Sequence, residues 1–143
     1  MKIVFISNIF PTPDNYKAAS ALSYHLLKYR PKDVEIISYS FNANQVPEKA
    51  RSLIEKDLNI KTKLIESSRL IKWLFKLHLT FLKNLLPYPF GYYNRLSKNI
   101  IKQIKELSPD GIWINGDCLS VAMKQFESLP RVMTMPDCVP LYY

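Results

Sequence analysis

Length and composition match one globular domain, because the chain has 143 residues, of which 48% are apolar and 22% are charged. No run of eighteen apolar residues occurs, and the apolar start reaches Ser7 too soon for a signal peptide, so we expect no membrane span, no secretion and a cytoplasmic location. The net charge of +8 favours an anionic partner, whether nucleic acid, a phospholipid surface or a phosphorylated small molecule.

Short apolar runs alternate with segments of helical periodicity along the chain. In chain order, the pattern predicts a strand at 2–6, a helix at 17–29, a strand at 34–39, a helix at 47–57, a strand at 61–66, helices at 69–86 and 94–107, a strand at 111–115, a helix at 119–127 and a strand at 131–135. Proline ends the first helix at Pro31 and the long helix at Pro87. The alternation implies a parallel sheet.

Right-handed crossovers and short connections then predict an α/β fold, a Rossmann-like doubly wound parallel sheet between two helical layers. We expect a single domain that covers residues 1–143. In such a sheet a ligand binds beyond the carboxyl ends of the strands, where the winding reverses. Here this rule indicates the loop at 8–17 and the loop at 115–118.

The loop at 8–17 contains no glycine. It lacks both the G-x-G-x-x-G pattern of dinucleotide-binding folds and the G-x-x-x-x-G-K-[ST] pattern that wraps a triphosphate, so we expect no cofactor. A loop ahead of a helix N-terminus still offers backbone N–H groups to a hydroxyl-rich or anionic ligand, and Asp14, Asn15, Tyr16 and Lys17 supply side chains for it. The alternative is that Asp14 or Asn15 only caps the helix.

Two acidic residues follow later strands. Asp117 comes two residues after Asn115 and Asp137 follows the last predicted strand, so parallel geometry brings them to one edge of the sheet. A carboxylate there suits the orientation of a sugar hydroxyl, although Asp117 also fits the alternative role of a helix N-cap. Cys118 and Cys138 are interpreted as reduced thiols, and no Cys/His zinc spacing occurs, so we expect no metal.

A long basic region carries much of the net charge. Between residues 69 and 105 there is no Asp or Glu, and the basic residues are Arg69, Lys72, Lys76, Lys83, Arg95, Lys98, Lys102 and Lys105. Lys72, Trp73, Lys76 and Lys83 form a candidate surface for an anionic membrane or a partner protein. The alternative is that the apolar positions pack on the sheet while the lysines face water. No nucleic-acid-binding pattern occurs, so we expect no nucleic-acid partner.

Five segments, at residues 1–11, 21–27, 87–93, 108–114 and 131–143, follow one another in an order that resembles the N-terminal domain of GT-B fold glycosyltransferases. The likeness is to the family-four-like N-terminal domains of bacterial surface-polysaccharide enzymes, and it spans essentially the whole chain. It implies that the two loops face the acceptor. Asp117 and Asp137 are then candidate catalytic residues, and the candidate acceptor-binding residues are Asp14, Asn15, Tyr16, Lys17 and Asn115.

The resemblance also implies a function. We expect a glycosyltransferase of the hexosyltransferase type, which moves a sugar from a nucleotide-sugar to a polysaccharide or lipid-linked acceptor and lies peripherally at the inner face of the membrane. A C-terminal domain beyond Tyr143 would hold the nucleotide-sugar, so the chain alone is expected to be inactive. The alternative is a non-catalytic module that binds a membrane or a protein through the basic amphipathic region at 69–93.

Overall fold

The computed structural model describes residues 1–14, 18–66, 95–116 and 119–134. In these residues the elements are β1 (Lys2–Ser7), α1 (Ala18–Lys28), β2 (Glu35–Ser40), α2 (Glu48–Leu58), β3 (Thr62–Leu64), α3 (Lys98–Glu106), β4 (Gly111–Asn115), α4 (Ser120–Met123) and β5 (Arg131–Thr134). The predicted helix at 69–86 lies outside the described residues. Each other predicted element has a counterpart, so the predicted order is confirmed across the described part of the chain.

The five strands form one parallel sheet in the order β3-β2-β1-β4-β5. Successive strands step outward from β1 to β3, and the chain then returns to the other side of β1 to build β4 and β5. The predicted α/β, Rossmann-like doubly wound fold is therefore confirmed. The reversal of winding falls between β1 and β4, so their carboxyl ends flank the crevice in which such folds bind ligands.

Helices cover both faces of the sheet. On one face, α1 and α2 bury Leu27 and Leu58 against Phe5 of β1. On the other face, Ile104 of α3 and Ala122 of α4 pack against Val4, which alternates with Phe5 along β1. The order is a helical layer, the sheet and a second helical layer, as the sequence predicted.

The segment after β4 differs in detail from the predicted helix at 119–127. Its α-helical part covers Ser120–Met123, and a turn of 3₁₀-helix continues it at Lys124–Phe126. Leu119, Ala122 and Phe126 are nevertheless fully buried. The apolar spacing that predicted the helix is thus retained although the winding tightens.

A polar contact ties α1 to α2. The Tyr24 hydroxyl donates to the Asp57 carboxylate, and the Lys28 ammonium lies 3.1 Å from the same carboxylate oxygen. The hydrogen bond from Tyr24, followed by that from Lys28, lowers the pKa of Asp57, while the bonds to Tyr24 and Asp57 raise the pKa of Lys28. Both charged forms are favoured in the folded chain, which stabilises the packing of the two helices.

Candidate functional site

Four neighbouring strands end on a polar residue at the carboxyl edge of the sheet. They are Ser40 of β2, Ser7 of β1, Asn115 of β4 and Thr134 of β5. Ser7 is in register with both Ser40 and Asn115, and Asn115 is in register with Thr134. We call these four residues the carboxyl-end row. The row crosses the reversal point between β1 and β4, where the fold places a ligand.

The row lies on the sheet face that α1 covers. Side chains alternate between the two faces along a strand, so Ser7 shares a face with Phe5, which packs against Tyr24 and Leu27 of α1. Two residues before Ser7 and Asn115 along their strands lie Phe5 and Trp113. Their rings pack in a T-shaped arrangement, with centroids 4.6 Å apart. Apolar packing therefore gives way to polar side chains at the last position of these strands.

A hydrogen-bond chain fixes the β4–β5 side of the row. The Trp113 indole Nε1–H donates to Thr134 Oγ1 at 2.9 Å, and the Thr134 hydroxyl donates to Asn115 Oδ1 at 2.8 Å. The Asn115 residue is only 2% exposed. Because the Thr134 proton is directed at Asn115, both side chains hold defined orientations beside the reversal point.

Ser7 provides an unsatisfied group at the centre of the row. It is fully buried, and its Oγ has no hydrogen-bond partner within the described part of the chain. Its backbone oxygen, by contrast, accepts from the Phe41 N–H at 3.0 Å. A buried hydroxyl without a partner costs about 1–3 kcal/mol of stability. The Ser38 and Thr62 hydroxyls are likewise buried without a partner among the described residues, so what distinguishes Ser7 is its position at the reversal point between β1 and β4.

Gly116 turns the chain directly after the row. Its φ of +115° lies in a region that side chains disfavour, and its N–H donates to the Thr134 oxygen at 3.0 Å. A Cβ at this position would lie 3.7 Å from Asn8 Cβ, an ordinary contact. Backbone conformation rather than crowding therefore requires glycine here.

The first part of the loop after β1 is anchored by its neighbours. The side chain of Asn44, in the loop after β2, accepts from the Phe10 N–H at 2.8 Å and donates to the Phe10 oxygen at 2.9 Å. Farther along, the Thr12 hydroxyl donates to Ser20 Oγ at 3.0 Å and so joins the loop to α1. The chain thus leaves β1 along a fixed path over the carboxyl edge.

The structure locates only part of the predicted site. Asn115 lies within the carboxyl-end row, and Asp14 is exposed in the loop after β1. The remaining candidates lie outside the described residues: Asn15, Tyr16, Lys17, Asp117, Asp137, Lys72, Trp73, Lys76 and Lys83. Their roles, including the capping alternative for Asn15 and Asp117, stay predictions.

Sequence reasoning missed Ser7, Ser40 and Thr134. Ser7 and Ser40 each come directly after a predicted strand, whereas Thr134 lies within the strand predicted at 131–135. A terminal Ser or Thr is normally interpreted as the beginning of a loop. Only the register of the sheet shows that these residues stand side by side with Asn115.

The carboxyl-end row contains only neutral groups that donate and accept hydrogen bonds. It has no titratable side chain, so it suits recognition of a neutral hydroxyl-rich ligand rather than proton transfer. In the residues that the structure describes, no group of three or more His, Cys, Asp or Glu side chains could hold a metal ion. The groups of the row can therefore donate hydrogen bonds to ligand hydroxyls and accept hydrogen bonds from them.

A groove of about 530 Å³ lies elsewhere, at the first half of β2 and the end of α2. It is lined by Glu35, Ile36, Ile37, Glu55, Lys56, Asn59, Ile60 and Lys61. This is the amino-terminal end of β2, opposite the carboxyl-end row, and the Glu55 carboxylate already accepts from the Thr62 N–H at 2.8 Å. The groove is therefore separate from the candidate site.

The described helices are all too short or too polar to cross a bilayer. Comparisons of the chain with protein-family models, with curated proteins and with solved structures find no match. The functional proposal therefore depends on the fold and on the side chains at the carboxyl edge of its sheet.

Proposed function

We propose that the chain is the acceptor-side domain of a GT-B glycosyltransferase, which transfers a sugar from a nucleotide-sugar to a polysaccharide or lipid-linked acceptor. The observation that carries the proposal is the carboxyl-end row at the reversal of a doubly wound sheet. A saccharide presents many hydroxyls and no charge, and the row presents hydroxyl and amide groups without charge. The two chemistries are complementary.

Ser7 and Thr134 have distinct parts in this proposal. The Thr134 hydroxyl is already oriented by Trp113 and Asn115, so it offers a remaining acceptor position to a sugar O–H. Ser7 Oγ is unpartnered among the described residues, so a sugar hydroxyl would satisfy it. Because Ser7 is fully buried, the sugar reaches it only by displacing the residues that cover it.

The proposal is tested by binding of the chain to a glycan array that contains fragments of bacterial surface polysaccharides. We expect binding to a restricted set of saccharides, and Thr134→Val, which keeps the shape but removes the hydroxyl, weakens it. Ser52→Ala is the matched control, because Ser52 is exposed on α2, where its hydroxyl donates to the Glu48 oxygen one helical turn away. Binding of a nucleotide-sugar in place of saccharides would contradict an acceptor-side role.

The catalytic part of the proposal concerns Asp117 and Asp137. In the protein that contains this chain together with a nucleotide-sugar-binding domain, Asp117→Asn and Asp137→Asn should each slow sugar transfer while the unfolding midpoint stays unchanged. A carboxamide keeps the size of the side chain and removes its charge and its capacity as a base. Unchanged turnover in both variants would remove these residues from the site.

A further inference from the structure

One side of α3 carries a row of lysines. Lys98, Lys102 and Lys105 recur at helical spacing, and Ile101 lies between them. The three lysines are exposed, whereas Ile101 is half-buried and packs against the core. Gln103 occupies the other side of the helix, where its Oε1 accepts from Lys63 Nζ. We call Lys98, Ile101, Lys102 and Lys105 the lysine face.

The lysine face lines a shallow groove of about 530 Å³, together with Glu106. Lysine side chains lay their methylene stems along apolar surface while their ammonium groups reach outward. With Ile101 at its base, the groove has an apolar floor and a cationic rim. A partner that fits it has an anionic surface backed by apolar material.

The local charge balance favours an anion. Glu106 is the only acidic residue of the described groove lining, and its carboxylate lies 3.8 Å from Lys102 Nζ. Both side chains are largely exposed, so this pair is weak and contributes little to stability. Lys98 and Lys105 have no acidic partner at salt-bridge distance among the described residues. The face therefore keeps a positive potential.

We propose that the lysine face of α3 binds the phosphate groups of an anionic lipid surface. A nucleic-acid platform would interleave aromatic rings or arginines with the lysines for base stacking, and the described lining of this groove holds neither. Ile100 and Ile104 pack into the core and leave the three lysines on the outer side of α3, where clustered ammonium groups attract anionic headgroups. This inference is independent of the proposed glycosyltransferase function.

The position of α3 aligns the lysine face with the sheet. The end of α3 lies at the amino-terminal end of β1, because the Lys2 ammonium donates to the Leu107 oxygen at 3.3 Å. Lys98, at the start of the helix, is therefore nearer the carboxyl edge. A membrane on this face would lie along the outer side of α3.

The test is co-sedimentation of the whole chain with vesicles of phosphatidylcholine that contain phosphatidylglycerol. The test variant is Lys98→Gln/Lys102→Gln/Lys105→Gln. The matched control is Lys32→Gln/Lys49→Gln/Lys56→Gln, which removes the same charge from three exposed lysines elsewhere. Each lysine near an anionic surface adds to the affinity, so the test variant should bind at least about tenfold more weakly than the wild type. The control should stay within about twofold of the wild type.

Two further measurements make the result specific. Glu106→Gln removes the opposing charge and should strengthen vesicle binding, whereas binding by every variant should fall as salt rises. Vesicles of phosphatidylcholine alone should not bind. Equal losses in the test and control variants, or wild-type binding to phosphatidylcholine alone, would overturn the proposal. So would a lysine-face-dependent affinity for free inorganic phosphate or for RNA that matches the affinity for vesicles.

Discussion

The two faces of the sheet differ at its carboxyl end. On the face that α3 and α4 cover, the core stays apolar up to the end of the strands, with Ile6 and Ile114 fully buried. On the face that α1 covers, the next side chain after Phe5 is that of Ser7, and the next after Trp113 is that of Asn115. One face maximises burial of apolar surface, while the other ends in hydroxyl and amide groups.

The two faces of the sheet are therefore expected to contribute differently to the stability of the fold and to ligand binding. Apolar burial contributes about 25 cal/mol for each Å² removed from water, and buried polar groups do not replace that gain. The face that retains apolar residues is therefore expected to hold the fold together. The face that ends in the carboxyl-end row gives up stability at the place where a doubly wound fold binds its ligand, as functional sites commonly do.

The largest effect is expected on the apolar face. Phe126→Ala removes a fully buried ring and leaves a cavity in the core, so the free energy of unfolding should fall by about 3–5 kcal/mol. Leu53→Ala on α2 is the control, because Leu53 is 70% exposed and should change stability by about 0.5 kcal/mol or less. Urea denaturation measures both. Similar losses would contradict the burial of Phe126 in the core.

A smaller loss is expected at the turn after the carboxyl-end row. Gly116→Ala forces a side chain into a backbone conformation with φ near +115°, which should cost about 1–3 kcal/mol. The added methyl group has room, so the loss would come from the backbone alone. Thermal unfolding measures it. An unchanged midpoint would mean that the turn adopts another conformation in solution.

The polar face should respond in the opposite direction. Ser7→Ala removes a buried hydroxyl that lacks a partner among the described residues, so the free energy of unfolding should rise by about 1 kcal/mol. Ser38→Ala should behave alike, because Ser38 is buried and its Oγ is likewise unpartnered in the described structure. A loss of stability in both variants would contradict the idea that these hydroxyls are costly.

The smallest effect concerns the contact between α1 and α2. The pKa of Asp57 is lowered by folding, so its stabilising contribution is present above the pKa of an unfolded Asp and is lost as pH falls through the folded value. The pKa of Lys28 is raised, so its contribution is lost only as pH rises through its folded value, above 10.5. Asp57→Asn should therefore flatten the acid side of the stability profile, which unfolding midpoints between about pH 2 and pH 6 would measure. An unchanged acid slope would refute this role.

Much of the fold could be predicted from the sequence, because strand and helix patterns are local. β4 was predicted with its observed bounds, 111–115, and α1 within a residue at each end. The predicted helix at 119–127 is confirmed as a helical segment at 120–126, although apolar spacing alone does not show that its α-helical part ends in a 3₁₀ turn.

The candidate site was less predictable, because it depends on contacts between distant segments. Asn115 was selected from its place after a strand, but its bond with Thr134 depends on the register of β4 and β5. Ser7 looked like the first residue of a loop, and its burial became visible only once α1 lay over the sheet. Sequence patterns located the edge of the sheet, and the structure selected residues within it.

The most direct test of the central claim compares Ser7→Ala with Ser38→Ala in titrations with a saccharide that binds the wild-type chain. The two hydroxyls are alike in burial, but only Ser7 belongs to the carboxyl-end row. Ser38 is in register with Phe5 and lies two residues before the row along β2. We predict that Ser7→Ala weakens saccharide binding by about tenfold, the loss of roughly one hydrogen bond, while Ser38→Ala leaves it unchanged. Equal affinity in both variants would contradict a binding role for the carboxyl-end row.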